Sequence, residues 1–206
     1  MAADTITAIN NFWLGNSLAT PREAFARRDW WYKGGSNLDN EIRDRFGHLV
    51  EQACCGHLTS WKASPHGAIA LILLLDQFTR NTYRHSPNAY RGDGLALTIV
   101  KEVIAQGLDT RMHPVERIWL YHPFHHCELL SEQDYGMSLL HDVREAALPT
   151  WRLYVERSIG GWKRHRDIVA RFGRFPHRNE ILGRTNTADE AAFLATNGEA
   201  FGQGRK

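Results

Sequence analysis

Apolar residues in this chain recur at intervals of three and four, and strand-like alternation is nearly absent, so the pattern predicts helices almost throughout. A first helix over residues 5–14 has Asp4 as its N-cap and Gly15 just past its end. Residues 22–36, which carry Trp30 and Trp31, read as a loop. Asn37 then caps a second helix in which Ile42, Phe46, Leu49 and Ala53 share a face and Gly56 stops the chain. Ser64-Pro65 opens a third, with proline at the first helical position, where its missing N–H costs nothing. Its body, AIALILLL, is apolar all round, which places it at the centre of the fold with Asp76, Gln77, Arg80 and Asn81 ending it.

Ser86-Pro87 starts a short turn of helix, and residues 93–105 form another helix stopped by Gly107. His113-Pro114 begins a segment interrupted by Pro123. Ser131 caps a helix to residue 147, and Pro149 opens a long one that ends at Gly173. Gly160-Gly161 weakens its middle by roughly 1 kcal/mol per glycine and invites a kink. Thr187-Ala-Asp-Glu190 is a capping box before a last short helix. The sum is an all-α chain of about eight to nine helices on short connections. It makes one domain over residues 1–206, with a core near 4–195 and a tail, 196–206, expected to fray.

Composition narrows the class. With 206 residues, 43% hydrophobic and 23% charged, the chain has the make-up of an ordinary globular protein. Three cysteines form no even framework, and MAADTITAIN lacks a basic segment followed by an apolar one, so a reduced cytoplasmic setting is expected. The longest apolar run, residues 68–75, is far short of the ~20 needed to span a bilayer. The net charge of +2 hides an asymmetry, because residues 163–184 hold seven Lys/Arg against Asp167 and Glu180.

Three polar clusters carry the candidate chemistry. In the first, Asp76 and Arg80 are four apart and can pair on a helix. The second holds His122, His125, His126 and Glu128 around Pro123, where a kink re-aims side chains. Imidazole with carboxylate suits zinc or iron, so these four are metal-ligand candidates, but their spacing matches no ligand signature and no metal or other cofactor is expected. In the third, His165 lies on the apolar face of the long helix, and Arg174, His177, Arg178 and Arg184 follow in a rigid reversal set by Gly173 and Pro176. The plain reading of each cluster is structural: ion pairs, caps and satisfied core histidines. The sharper reading brings them together as one cationic pocket for a carboxylate or phosphate.

DQF-x-RN (Asp76 to Asn81), PF-x-H-x-E (Pro123 to Glu128) and H-x5-RFGRFPHRN-x2-LGR (His165 to Arg184), with the early Phe12-Trp13, resemble the hallmarks of the bacterial domain of unknown function 924 family. The resemblance implies an all-α, tetratricopeptide-like superhelix and no established activity. The chain departs from the family pattern with Thr79 in place of a proline, with His125 and Cys127 in PF-x-H-x-E, and with His122 where an apolar residue is usual.

Two functions follow. In the first, the protein binds a small anionic ligand or a peptide terminus through Arg80, Arg174, Arg178, Arg184 and His177. In the second, a hydrolase or lyase, with or without a metal, uses His126 or His165 as base with Asp76 or Glu128 as partner. Arginines set among Phe172, Phe175 and Pro176 argue against nucleic acid, and no membrane partner is expected.

Overall fold

The computed structural model describes residues 2–197. Every regular element among them is helical: α1 (Ala2–Leu14), α2 (Pro21–Lys33), α3 (Gly35–Cys54), α4 (Pro65–Ile72), α5 (Thr79–Thr82), α6 (Asp93–Ala105), α7 (Pro114–Leu120), α8 (His122–His126), α9 (Leu130–Ala146), α10 (Pro149–Phe172) and α11 (Ala188–Asn197). A π-helical turn, Leu73–Phe78, fuses α4 to α5, and the single residue Tyr121 separates α7 from α8. With α4 and α5 taken together through the π-turn, and α7 and α8 taken together across Tyr121, the described residues make nine helical units, arranged as the expected α-α superhelix.

Local chemistry explains most boundaries. Ser64 Oγ accepts from Gly67 N ahead of Pro65, and Ser86 Oγ accepts from Asn88 N ahead of the short turn Pro87–Tyr90. His113 Nδ1 accepts from Val115 N while Glu116 reaches back to His113 N at 2.8 Å. The Thr187–Glu190 box forms in both directions. Gly173, at φ +69°, takes the left-handed position that ends α10.

Several expectations need correction. Residues 21–33 are a helix, not a loop: Thr20 accepts from Glu23 N and Pro21 fills the first position, a start signal that the poor apolar periodicity masks. Asp4, Asn37 and Ser131 lie inside α1, α3 and α9 rather than capping them. α10 runs unbroken through Gly160-Gly161. The central helix ends at Thr82, just past Asp76, Gln77, Arg80 and Asn81 as expected, but it reaches that end through a π-turn that the sequence pattern does not signal. The tail beyond Asn197 lies outside the described residues.

Residues 68–75 are at most 1% exposed, so the all-apolar helix is the hub as expected. Against it pack α1, α3, α6 and α7, and α9 lies along α10. A second, smaller cluster is separate from this core: Ile168, Val169 and Phe175, with Phe172 and Phe193 against them. It joins the end of α10 to the reversal and to α11.

Candidate functional site

Between α2, α3, the π-turn, α8 and α10 lies a cavity of about 1060 Å³, at the upper end of the ~300–1,000 Å³ usual for small-molecule sites. Its wall is chemically lopsided. Eight cations (Arg28, Lys33, Arg43, Arg80, Arg84, Arg157, Arg164 and Arg178) face it against one carboxylate, Asp39. That carboxylate is already engaged, accepting from Arg84 Nε at 2.5 Å, Arg84 Nη2 at 2.7 Å and Asn81 Nδ2 at 2.8 Å. Seven aromatic residues, among them Trp31, Trp119 and Trp162, supply apolar surface.

α10 presents its cavity face by helical periodicity: Tyr154, Ser158, Gly161/Trp162 and His165 form a stripe flanked by the exposed Arg157 and Arg164. A Cβ built on Gly161 meets nothing within 4 Å. Packing therefore does not require glycine at this cavity-lining position.

The deep wall is built on the π-turn. Asp76, 0% exposed, accepts from His126 Nδ1 at 2.7 Å, lies 3.1 Å from Arg80 Nη1 and also accepts from Gln77. Arg80 donates to the Asp76 carbonyl at 2.6 Å and to Asp93 at 3.0 Å. Burial opposes the charge on Arg80, but Asp76 and Asp93 outweigh it and hold its pKa above the ordinary value. Burial raises the Asp93 carboxyl, which Arg80 and Arg178 counter.

Arg178 is less well compensated. It donates to the His126 carbonyl at 3.0 Å, stands 3.7 Å from Asp93 and stacks on Tyr90 and Phe175, while its Nε has no acceptor. Its pKa is pulled down, first by burial. A buried cation short of counter-charge favours an incoming anion.

The histidines gather here as the sequence suggests. His125 stacks on Trp162 at 4.6 Å between centroids and meets His165 at 3.7 Å; His122 stacks on Trp119 at 4.2 Å and donates Nδ1–H to the Ile118 carbonyl at 2.8 Å. The break at Tyr121 lets α8 begin at His122, so His122 and His126 share a short helix with Pro123 in its first turn. Burial lowers the pKa of His122 to about 4 and of His177 to about 3, and it drives His125, His126 and His165 well below 6.5.

Of the residues singled out in the sequence, Arg80, His122, His125, His126, His165, His177 and Arg178 line the cavity. Arg174, Arg184 and Glu128 stand away from it. Arg184 makes a fork on Glu128 at 2.6 and 2.9 Å, and Glu128 also accepts from Phe175 N at 2.8 Å. Arg174 makes a second fork on Glu190 at 2.6 and 2.7 Å. Arg174 and Arg184 are therefore clamps, and Glu128 is unavailable as partner to a base or as a metal ligand. Among the described residues no group of three or more His, Cys, Asp or Glu is disposed to hold a metal ion. Sequence reading missed Arg28, Lys33, Arg43, Arg84, Arg157 and Arg164, which are scattered along polar faces that look merely solvated.

A superhelix with a basic, aromatic cavity, deep on the π-turn side and open at an exposed rim, defines the class. The family model described as a bacterial protein of unknown function, DUF924, matches residues 9–198, and the chain belongs to that family. It is similar to the solved structure of a protein of unknown function, ATU0120, from Agrobacterium tumefaciens, at 32% identity over 94% of this chain and 98% of that one, with a TM-score of 0.78. No curated protein matches it. No helix among the described residues is long and apolar enough to cross a membrane.

Proposed function

We propose that this is a cytoplasmic binding protein whose cavity takes an anionic organic molecule, either a small ligand or a peptide carboxyl terminus. The excess of cations over the single, already engaged carboxylate carries the reading. Arg178, short of acceptors, supplies buried charge beside the paired Arg80; His126, His165 and His177 supply neutral donors and acceptors, and the indole rings cover the apolar body. The internal pairing of Arg174 and Arg184 supports a concave seat over an exposed nucleic-acid face. A hydrolase or lyase reading of the same cavity is compatible with anion binding; it keeps His126 and His165 as bases and Asp76 as partner, and loses Glu128.

Calorimetry and thermal shift test it with citrate, inorganic phosphate, and a short peptide carrying a free or an amidated C-terminus. A ligand at ~100 times its Kd adds ~2.7 kcal/mol of stability. Arg178→Ala abolishes that gain with helical content intact. Because Arg178 is buried, two further variants guard the test: the exposed pair Arg157→Glu/Arg164→Glu, and Gly161→Phe, which fills open space. Equal stabilisation of all three variants and the parent overturns the reading.

A further inference from the structure

One imidazole in the cavity wall is tied on one edge and open on the other. His126 Nδ1 lies 2.7 Å from Asp76 Oδ1, and a carboxylate only accepts, so Nδ1 carries the proton and the neutral ring keeps its lone pair on Nε2. His126 lines the cavity whereas Asp76, fully buried, does not, so the free edge of the ring faces the space that holds the ligand. Both sides of the pair are pinned: Arg80 and Gln77 bind the Asp76 carboxylate, and Arg178 donates to the His126 carbonyl at 3.0 Å. Asp76 also sits in the π-turn, an irregularity that costs regular helical bonding and recurs at functional sites. Of the other cavity histidines, His122 is tied through Nδ1 to a backbone carbonyl and stacked on an indole.

We infer that His126 is a general base that hydrolyses an ester of the bound anion, with Asp76 as its positioning residue. The substrate class rests on the anion-binding reading; the base and its partner do not. Nε2 takes a proton from water as the water oxygen bonds to the ester carbonyl carbon. The tetrahedral intermediate's negative charge is balanced by the cationic wall that contains Arg80 and Arg178. Collapse breaks the bond from carbon to the alcohol oxygen, and the alcohol leaves with the proton returned by the imidazolium. One water is consumed, an acid and an alcohol are released, and Asp76 ends as it began.

The test uses two chromogenic esters, anionic mono-4-nitrophenyl succinate and neutral 4-nitrophenyl acetate, with free imidazole as the reference. The succinate carboxylate also cleaves its own ester, so each rate is taken relative to that ester's rate with imidazole alone; the expected result is turnover of the succinate ester above that background, with a larger enhancement than for the acetate. His126→Asn lowers it by about 10²–10⁴-fold, the usual share of a general base. Asp76→Asn lowers kcat while KM stays within about twofold. Gly161→Phe lowers turnover by filling cavity space, with His126 and Asp76 themselves unchanged. A parent rate no higher than imidazole, or a rate unchanged in His126→Asn, overturns the proposal even if Asp76→Asn fails to fold. Hydrolysis that depends on His126 but shows no preference for the succinate ester would sink the anion reading alone.

Discussion

Burial of uncharged imidazoles gives single residues a measurable signature. His122 and His177 have folded-state pKa values of about 4 and about 3, below the ordinary 6.5, and His125, His126 and His165 shift the same way. Between the lowered and the ordinary value the unfolded chain binds more protons than the folded one, so stability rises with pH in that window. Their stabilising contribution is complete above pH ~6.5 and declines as pH falls, down to about 4 for His122 and about 3 for His177, at no more than ~1.4 kcal/mol per pH unit for each of these two. Thermal melts should therefore show Tm falling from pH ~6.5, before most carboxylates titrate, and His177→Asn should flatten the slope. An onset below pH 4.5 would contradict this. That histidines cluster was legible in the sequence, since His122, His125 and His126 crowd Pro123 and His165 sits on an apolar face. Their neutrality was not, because it depends on indole and arginine neighbours from distant segments.

Among elements, the π-turn shows how a helix irregularity and a glycine cooperate. A Cβ on Gly92 would stand 2.2 Å from the Leu75 carbonyl oxygen, so only glycine lets the start of α6 press against that turn and deliver Asp93 to Arg80 and Arg178. Gly94, two residues on, has nothing within 4 Å. Gly92→Ala should cost about 1–3 kcal/mol by overpacking, whereas Gly94→Ala should be neutral or mildly stabilising; urea midpoints compare them directly. Proline-led and capped starts at 65, 87, 114 and 149 could be read from the chain because cap chemistry is local. α2 escaped because its apolar residues lack a stripe, although Thr20, Pro21 and Glu23 mark its start. The basic rim escaped for a similar reason. Arg28, Arg43, Arg157 and Arg164 look like surface residues on their own helices and become a wall only when those helices are set side by side.

At the scale of the molecule, two cores share one cavity. The main core reaches Trp162 on α10, while Ile168, Val169 and Phe175 belong to the smaller cluster, which the forks Arg184–Glu128 and Arg174–Glu190 fasten. The sequence pointed to acids as partners for these arginines, but which acid each one meets is a tertiary fact. Replacing Arg184 by Ala strands Glu128, whose pKa that pair helps hold down, and should cost about 1.5–3 kcal/mol. Amide exchange should accelerate after Gly173 with little change in α4; uniform acceleration would refute separate opening. Because His177 and Arg178 ride on the smaller unit and Arg80 and His126 on the larger, any molecule touching both acts as a weld. Proteolytic cleavage just after Gly173 thus becomes a gauge of occupancy: nicking slows as the cavity fills, whatever the ligand proves to be.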